Sequence, residues 1–211
     1  MRHPPRAIIF DFDGTLVDSM SAFADIAARV MPKRLPIDTA TARKLYLETS
    51  GLPFFQQLEA IFPGDPANAA TADEYEQAKL EGYFTEPLFD DAAETVAHLR
   101  TSGARTVVSS NNFQCLVNAF LWRHDINFDM VLGFTPGFDK GAPHFRYVEG
   151  AYRLPRHRLT FVGDSIKDGE RARDYGIEFI GKTGTFTRAE FHAKLPGARV
   201  IEHLAELKTM L

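Results

Sequence analysis

Four apolar residues, Ala7-Ile8-Ile9-Phe10, stop on Asp11 and are followed at once by Phe12-Asp13-Gly14-Thr15. A continuous apolar run offers neither face to water, so it reads as a strand buried on both sides, as inside a parallel sheet. Its end at a carboxylate puts Asp11 and Asp13 at a sheet edge, and Gly14 permits a sharp turn there. At ordinary residue usage, the four fixed letters of Asp-x-Asp-Gly-Thr arise by chance in only roughly a few per thousand chains of this length.

The rest of the chain shows what that strand pairs with. Residues 92–100 have helical character and end at Ser102-Gly103. Arg105-Thr106-Val107-Val108 then reads as a strand closed by Ser109-Ser110-Asn111-Asn112. Phe113, Leu116, Val117, Phe120 and Leu121 recur with amphipathic-helix spacing. A strand over 128–132, a helix over 144–153, a strand over 159–162, a helix from about Lys167 and a strand over 178–180 follow. Such alternation predicts an α/β fold, a parallel sheet covered by helices on both faces. Residues 19–85 break the pattern. Strands vanish, prolines punctuate, and apolar stripes appear at Phe23, Ile26, Ala27 and Val30 and at Phe54, Phe55, Leu58, Ile61 and Phe62, with a more charged helix over 71–84. The expected division is a discontinuous core, 1–18 and 86–211, and a helical insert, 19–85, over the carboxyl edge of the sheet, where open α/β folds bind ligands.

Composition narrows the partners. The formal charge is −4 and the sequence pI about 6.0, which supplies no general attraction to nucleic acid or an anionic membrane. The 18 phenylalanines and Trp122 are accordingly expected in packing rather than as base-stacking platforms. The single cysteine, Cys115, has no intrachain partner; it fits a reducing compartment and is expected in the core. No membrane-length apolar run occurs, and the apolar stretch after Arg2 and Arg6 is too short for a signal peptide, so a cytoplasmic location is expected. Among the histidines, His98, His144 and His157 show no metal spacing and are given no special role.

Three further segments carry chemistry. Phe161-Val162-Gly163-Asp164-Ser165-Ile166-Lys167-Asp168 is a second strand running into acids, and Asp164 and Asp168 can reach the same edge as Asp11 and Asp13. Four converging carboxylates repel one another unless a cation sits among them, and hard oxygen ligands select Mg²⁺. Ser109-Ser110-Asn111 precedes a helix whose N-terminus suits an anion, or is simply an N-cap. Lys140 lies in a loop after the third core strand, opening on the same edge.

These segments together resemble the haloacid dehalogenase superfamily of phosphohydrolases, in which four short motifs follow successive strands of a Rossmann-like core. Asp11-x-Asp13-Gly14-Thr15 with Leu16-Val17-Asp18-Ser19, then Ser109, Lys140 and Gly163-Asp164-Ser165-x-x-Asp168 match the four in order, and the insert resembles a C1-type cap. The third motif departs, reading Lys140-Gly141-Ala142-Pro143 where the family often has Lys-Pro-x-Pro. The resemblance implies a Mg²⁺-dependent phosphatase acting on a small phosphorylated metabolite, phosphoglycolate-like or sugar-phosphate-like, as a monomer or weak homodimer. It implies Asp11 as nucleophile, Asp13 as acid and base, and Ser109 and Lys140 steadying the phosphate. Asp11, Asp13 through its carbonyl, Asp164 and Asp168 would serve the metal, with Asp168 acting from behind the direct ligands. Ser110, Asn111 and the insert's Ser50 and Gly51 would face substrate. An aspartate at position 13 disfavours the dehalogenase and phosphonate-cleaving branches. A phosphomutase of the β-phosphoglucomutase type keeps both aspartates and is the alternative; a non-catalytic phosphate-binding module is the third reading.

Overall fold

The computed structural model describes residues 6–210. In chain order it contains β1 (Ala7–Phe10), α1 (Met20–Val30), α2 (Thr39–Glu48), α3 (Phe54–Ile61), α4 (Asn68–Gly82), α5 (Ala92–Thr101), β2 (Arg105–Phe113), α6 (Gln114–Arg123), β3 (Met130–Phe134), α7 (Ala142–Tyr152), β4 (Leu159–Gly163), α8 (Ile166–Tyr175), β5 (Glu178–Lys182), α9 (Arg188–Lys194), β6 (Arg199–Ile201) and α10 (Leu207–Met210), with short 3₁₀ turns between. The chain divides into two compact units, Asp18–Pro87 and the described residues on either side of it.

The larger unit is a Rossmann-like parallel sheet of six strands in the order β3-β2-β1-β4-β5-β6. All four residues of β1 are fully buried, as a strand flanked by β2 and β4 and covered on both faces must be. Ala7 and Ile9 share one face with Val107, Leu159 and Phe161, packed by Phe145 and Val148 of α7 and Ala172 and Tyr175 of α8. The chain leaves β1 to build β2 and β3 on one side and β4 to β6 on the other, so the strand order reverses at β1. A crevice opens at the carboxyl ends of strands at such a point.

The smaller unit is helical. Asp38 caps α2 by accepting from the Thr41 amide at 3.0 Å. Phe54 stacks on Tyr75 with ring centroids 3.9 Å apart, and the Tyr46 and Tyr75 hydroxyls hydrogen-bond at 2.7 Å, tying α2, α3 and α4 together.

Several expectations need correction. The polar run after Val108 does not end β2; it continues to Phe113, pairing with Phe134 past a register shift after Ser109. Cys115 and Trp122 are not in the core: Cys115 is exposed and Trp122 is 85% exposed, on the solvent side of α6 whose inward residues are Val117, Phe120 and Leu121. Helix α2, with only Ala42 and Tyr46 buried, has too thin an apolar stripe to stand out by periodicity. Among the described residues no helix is long and apolar enough to cross a membrane.

Candidate active site

Asp11 follows β1 directly, and its amide donates to the Val162 carbonyl at 2.8 Å, extending the ladder by one residue. The next residues fold back tightly: the Leu16 and Val17 amides donate to the Phe12 carbonyl at 2.9 and 3.0 Å, and the Gly14 amide to the Val17 carbonyl at 2.8 Å, with Gly14 at φ 73°. The turn holds Asp13 two residues beyond Asp11 without continuing the sheet. At the end of β4, Ser165 caps α8, its hydroxyl accepting from the Asp168 amide at 3.1 Å and donating to the Asp168 carboxylate at 2.7 Å. Gly163 makes this possible: a Cβ there would lie 2.8 Å from the Asp168 Cβ and Oδ2.

The result is a buried set of carboxylates, Asp11, Asp164 and Asp168, with one oxygen of each within 4.8 Å of the others. Lys140 Nζ lies 3.0 Å from Asp11 Oδ1 and 2.9 Å from Asp168 Oδ1, and the lysine is only 4% exposed. Arg171 Nη1 approaches the same Asp168 oxygen at 3.4 Å. The electrostatics differ sharply among the three acids. Burial pushes the Asp11 carboxyl well above the usual range, Lys140 pulls it back, and Asp168 and Asp164 push it up further. Burial, then repulsion from Asp168, raises Asp164 to about 7, against a hydrogen bond from the Thr185 hydroxyl. Burial also acts to raise Asp168, but Lys140 and Arg171 outweigh it and hold that carboxyl below its ordinary value. Lys140 is held charged: burial opposes its charge, and Asp11 and Asp168 outweigh the opposition.

The residues fit a hard divalent cation. Asp11 and Asp164 are buried oxygen donors whose ionised forms burial and mutual repulsion disfavour, so a cation between them offsets both. Asp168 already has both oxygens engaged, Oδ1 by two cations and Oδ2 by Ser165, which suits it to positioning Lys140. The Asp13 carboxylate stands outside this set, with Oδ2 accepting from Asn112 Nδ2 at 2.7 Å.

The second segment is divided by strand alternation. The Ser109 hydroxyl is fully buried and 2.9 Å from His144 Nδ1, whereas the Ser110 hydroxyl accepts from the Asn112 amide at 3.0 Å. Asn111 Oδ1 accepts from the Lys140 amide at 3.3 Å, tying the two loops. Ser50 and Gly51 lie in the turn after α2, in the helical unit, with Gly51 at φ 89°.

Four contributors escaped the sequence reading. Asn112 reaches Asp13, and His144, given no role there, is buried against Ser109, with burial pushing its imidazole down to about 4 and so keeping it neutral. Arg171 joins Asp168. Lys182, only 3% exposed at the end of β5, sits 3.3 Å from the Phe89 ring centroid and 3.4 Å from the Gly14 carbonyl. The signal available in sequence was weak: each is a polar residue at an element that returns to the sheet mouth.

The chain is similar to known proteins over most of its length. Residues 8–182 match the model of the haloacid dehalogenase-like hydrolase family. A tyrosine-protein kinase from Mycobacterium tuberculosis is 26% identical over 96% of this chain and 70% of its own length. A phosphoglycolate phosphatase from Synechococcus elongatus is 28% identical over 86% of this chain and 85% of its own. In structure, a haloacid dehalogenase-like family hydrolase from Streptococcus pneumoniae superposes with a TM-score of 0.81 at 20% identity, over 97% of both chains. With the strand-end acids, the shared lysine and the six-stranded sheet already placed, the match over residues 8–182 makes this chain a member of the haloacid dehalogenase-like hydrolases.

Proposed function

We propose that this hydrolase is a Mg²⁺-dependent phosphatase that removes the phosphate of a small phosphorylated metabolite through an aspartyl-phosphate on Asp11. One observation carries the reading: a buried carboxylate at the end of the central strand shares its oxygen's lysine with a second acid and lies within 4.8 Å of a third. Lys140, poised between Asp11 and Asp168, would donate to the phosphate's equatorial oxygens as they gain charge. An Asp11 oxygen attacks phosphorus, the bond to the ester oxygen breaks, and Asp13 supplies that oxygen's proton. Asp13, oriented by Asn112, then takes a proton from water as it attacks the acyl phosphate, releasing inorganic phosphate and restoring Asp11. Asp11, Asp164 and the Asp13 carbonyl would hold Mg²⁺, with Asp168 behind them; when bound, the ion offsets repulsion between the nucleophile and the phosphate dianion. Ser109 and Ser110 compete for the hydroxyl contact. Ser109, which directly follows the apolar residues of β2, is the choice for it; both hydroxyls are buried and hydrogen-bonded, Ser109 with His144 and Ser110 with the Asn112 amide.

The helical unit would act as the cap, its turn at Ser50 and Gly51 contributing specificity for a phosphoglycolate-like or sugar-phosphate-like substrate. The phosphatase-named relative supports this direction. Transfer to an acceptor other than water, as in a phosphomutase, is the second reading, and the kinase-named relative favours keeping it.

Phosphate release from an aryl phosphate, with and without Mg²⁺, tests the proposal in wild type and Asp11→Asn. The expected loss in the variant is at least about 10³-fold; retained turnover removes Asp11 as nucleophile. A panel of phosphorylated metabolites then ranks substrates, and transfer without phosphate release indicates the mutase-like reading.

A further inference from the structure

Asp168 Oδ1 receives two cations, Lys140 at 2.9 Å and Arg171 at 3.4 Å, while Lys140 is also 3.0 Å from Asp11. A lysine facing two buried acids is divided between them. Arg171 projects from α8 one helical turn beyond Asp168, and its side chain is 17% exposed, so its guanidinium meets that carboxylate with little screening by water. Its aliphatic stem passes against the loop that holds Lys140. Gly141, at φ 126°, has no Cβ, and one added there would lie 3.2 Å from Arg171 Cδ and 3.6 Å from Cγ and Nε. Neither a proline, whose ring fixes φ near −65°, nor a β-carbon suits that backbone. The departure of this loop from Lys-Pro and the arginine beside it are therefore one arrangement.

We infer that Arg171 is a positioning residue that neutralises Asp168 and so leaves the Lys140 ammonium available to the phosphate bound at Asp11, with Gly141 making room for its stem. The inference rests on the phosphate-monoester reading above. With Arg171 uncharged, Asp168 draws Lys140 to itself, and phosphate oxygens lose part of a charge-assisted contact.

Arg171→Gln and Arg171→Lys, made in the full chain, test this by the inhibition constant of inorganic phosphate and by KM and kcat for an aryl phosphate. The expected result for Arg171→Gln is a rise in KM and in the phosphate inhibition constant on the order of tenfold, with kcat changed less than about threefold. Arg171→Lys, which keeps the charge, recovers most of that affinity. Unchanged phosphate affinity in folded Arg171→Gln overturns the inference, as does equal impairment of the Lys and Gln variants. Should Arg171→Gln fail to fold, Arg171→Lys with affinity as poor as that of Lys140→Met overturns it, and near-wild-type affinity supports it. Wild-type protein that neither hydrolyses the ester nor binds phosphate would instead refute the underlying functional reading.

Discussion

The helical unit and the sheet mouth build their ion pairs from the same residue types at similar distances. In the helical unit Lys33 meets Glu74 at 2.5 Å and Arg43 meets Asp25 at 2.8 Å, yet Lys33 is 57% exposed and Asp25 63%. Water and salt screen such pairs, and holding the side chains costs entropy, so each contributes little. At the sheet mouth Lys140 meets Asp11 and Asp168 no more closely, but all three are buried. There each charge has lost its hydration and depends on its neighbours. Separation alone therefore does not tell the two kinds of pair apart. What marks the buried kind is the unfavourable environment that its members would face without one another, or without a ligand.

Removing a partner from each region should break or sharpen that contrast. The largest effect is expected for Lys140→Met, which should lower kcat/KM by about 10² to 10³ and destabilise the fold by about 3 kcal/mol. A loss below about threefold, measured by steady-state kinetics, would erase the distinction. His144 probes a buried group held neutral. Its folded value, about 4 against an ordinary 6.5, means the unfolded chain binds the extra proton between those pH values. Stability of wild type relative to His144→Gln should therefore rise by on the order of 3 kcal/mol from pH 4 to 6.5 and level off above. Denaturant titrations across that range giving a flat difference would show that His144 is not desolvated. The smallest effect belongs to Lys44, which faces Glu48 at 3.7 Å one turn away on α2. Lys44→Ala should change unfolding free energy by no more than about 0.5 kcal/mol, and a larger loss would mean that exposed pairs here matter more than screening allows.

Much of the α/β unit was legible because its signals are local. The apolar run of β1, the start of α8 close to Lys167 and the alternation of elements each depend on a few adjacent residues. The acids at strand ends could be named for the same reason, since a strand's end specifies where the next two residues stand. The polar end of β2 misled, because Ser109 to Asn112 resemble a turn until β3 is present to pair with Phe113. β6, three residues long, and α2, with a thin apolar stripe, gave too little pattern. Trp122 was expected in packing because the charge balance offers no field for base stacking, but the helix turns it to solvent.

The sequence by itself determined that a central buried strand ends in paired acids, that further acids and a lysine return after later strands, and that a helical stretch interrupts the alternation. Only the tertiary structure decided how those charges are shared: Lys140 between Asp11 and Asp168, Arg171 on Asp168 with its stem against Gly141, Asn112 on Asp13 and His144 on Ser109. Periodicity and turn chemistry act over a few residues along the chain, whereas the ionisation of a buried acid depends on its desolvation and on charges brought to it by segments far away in sequence.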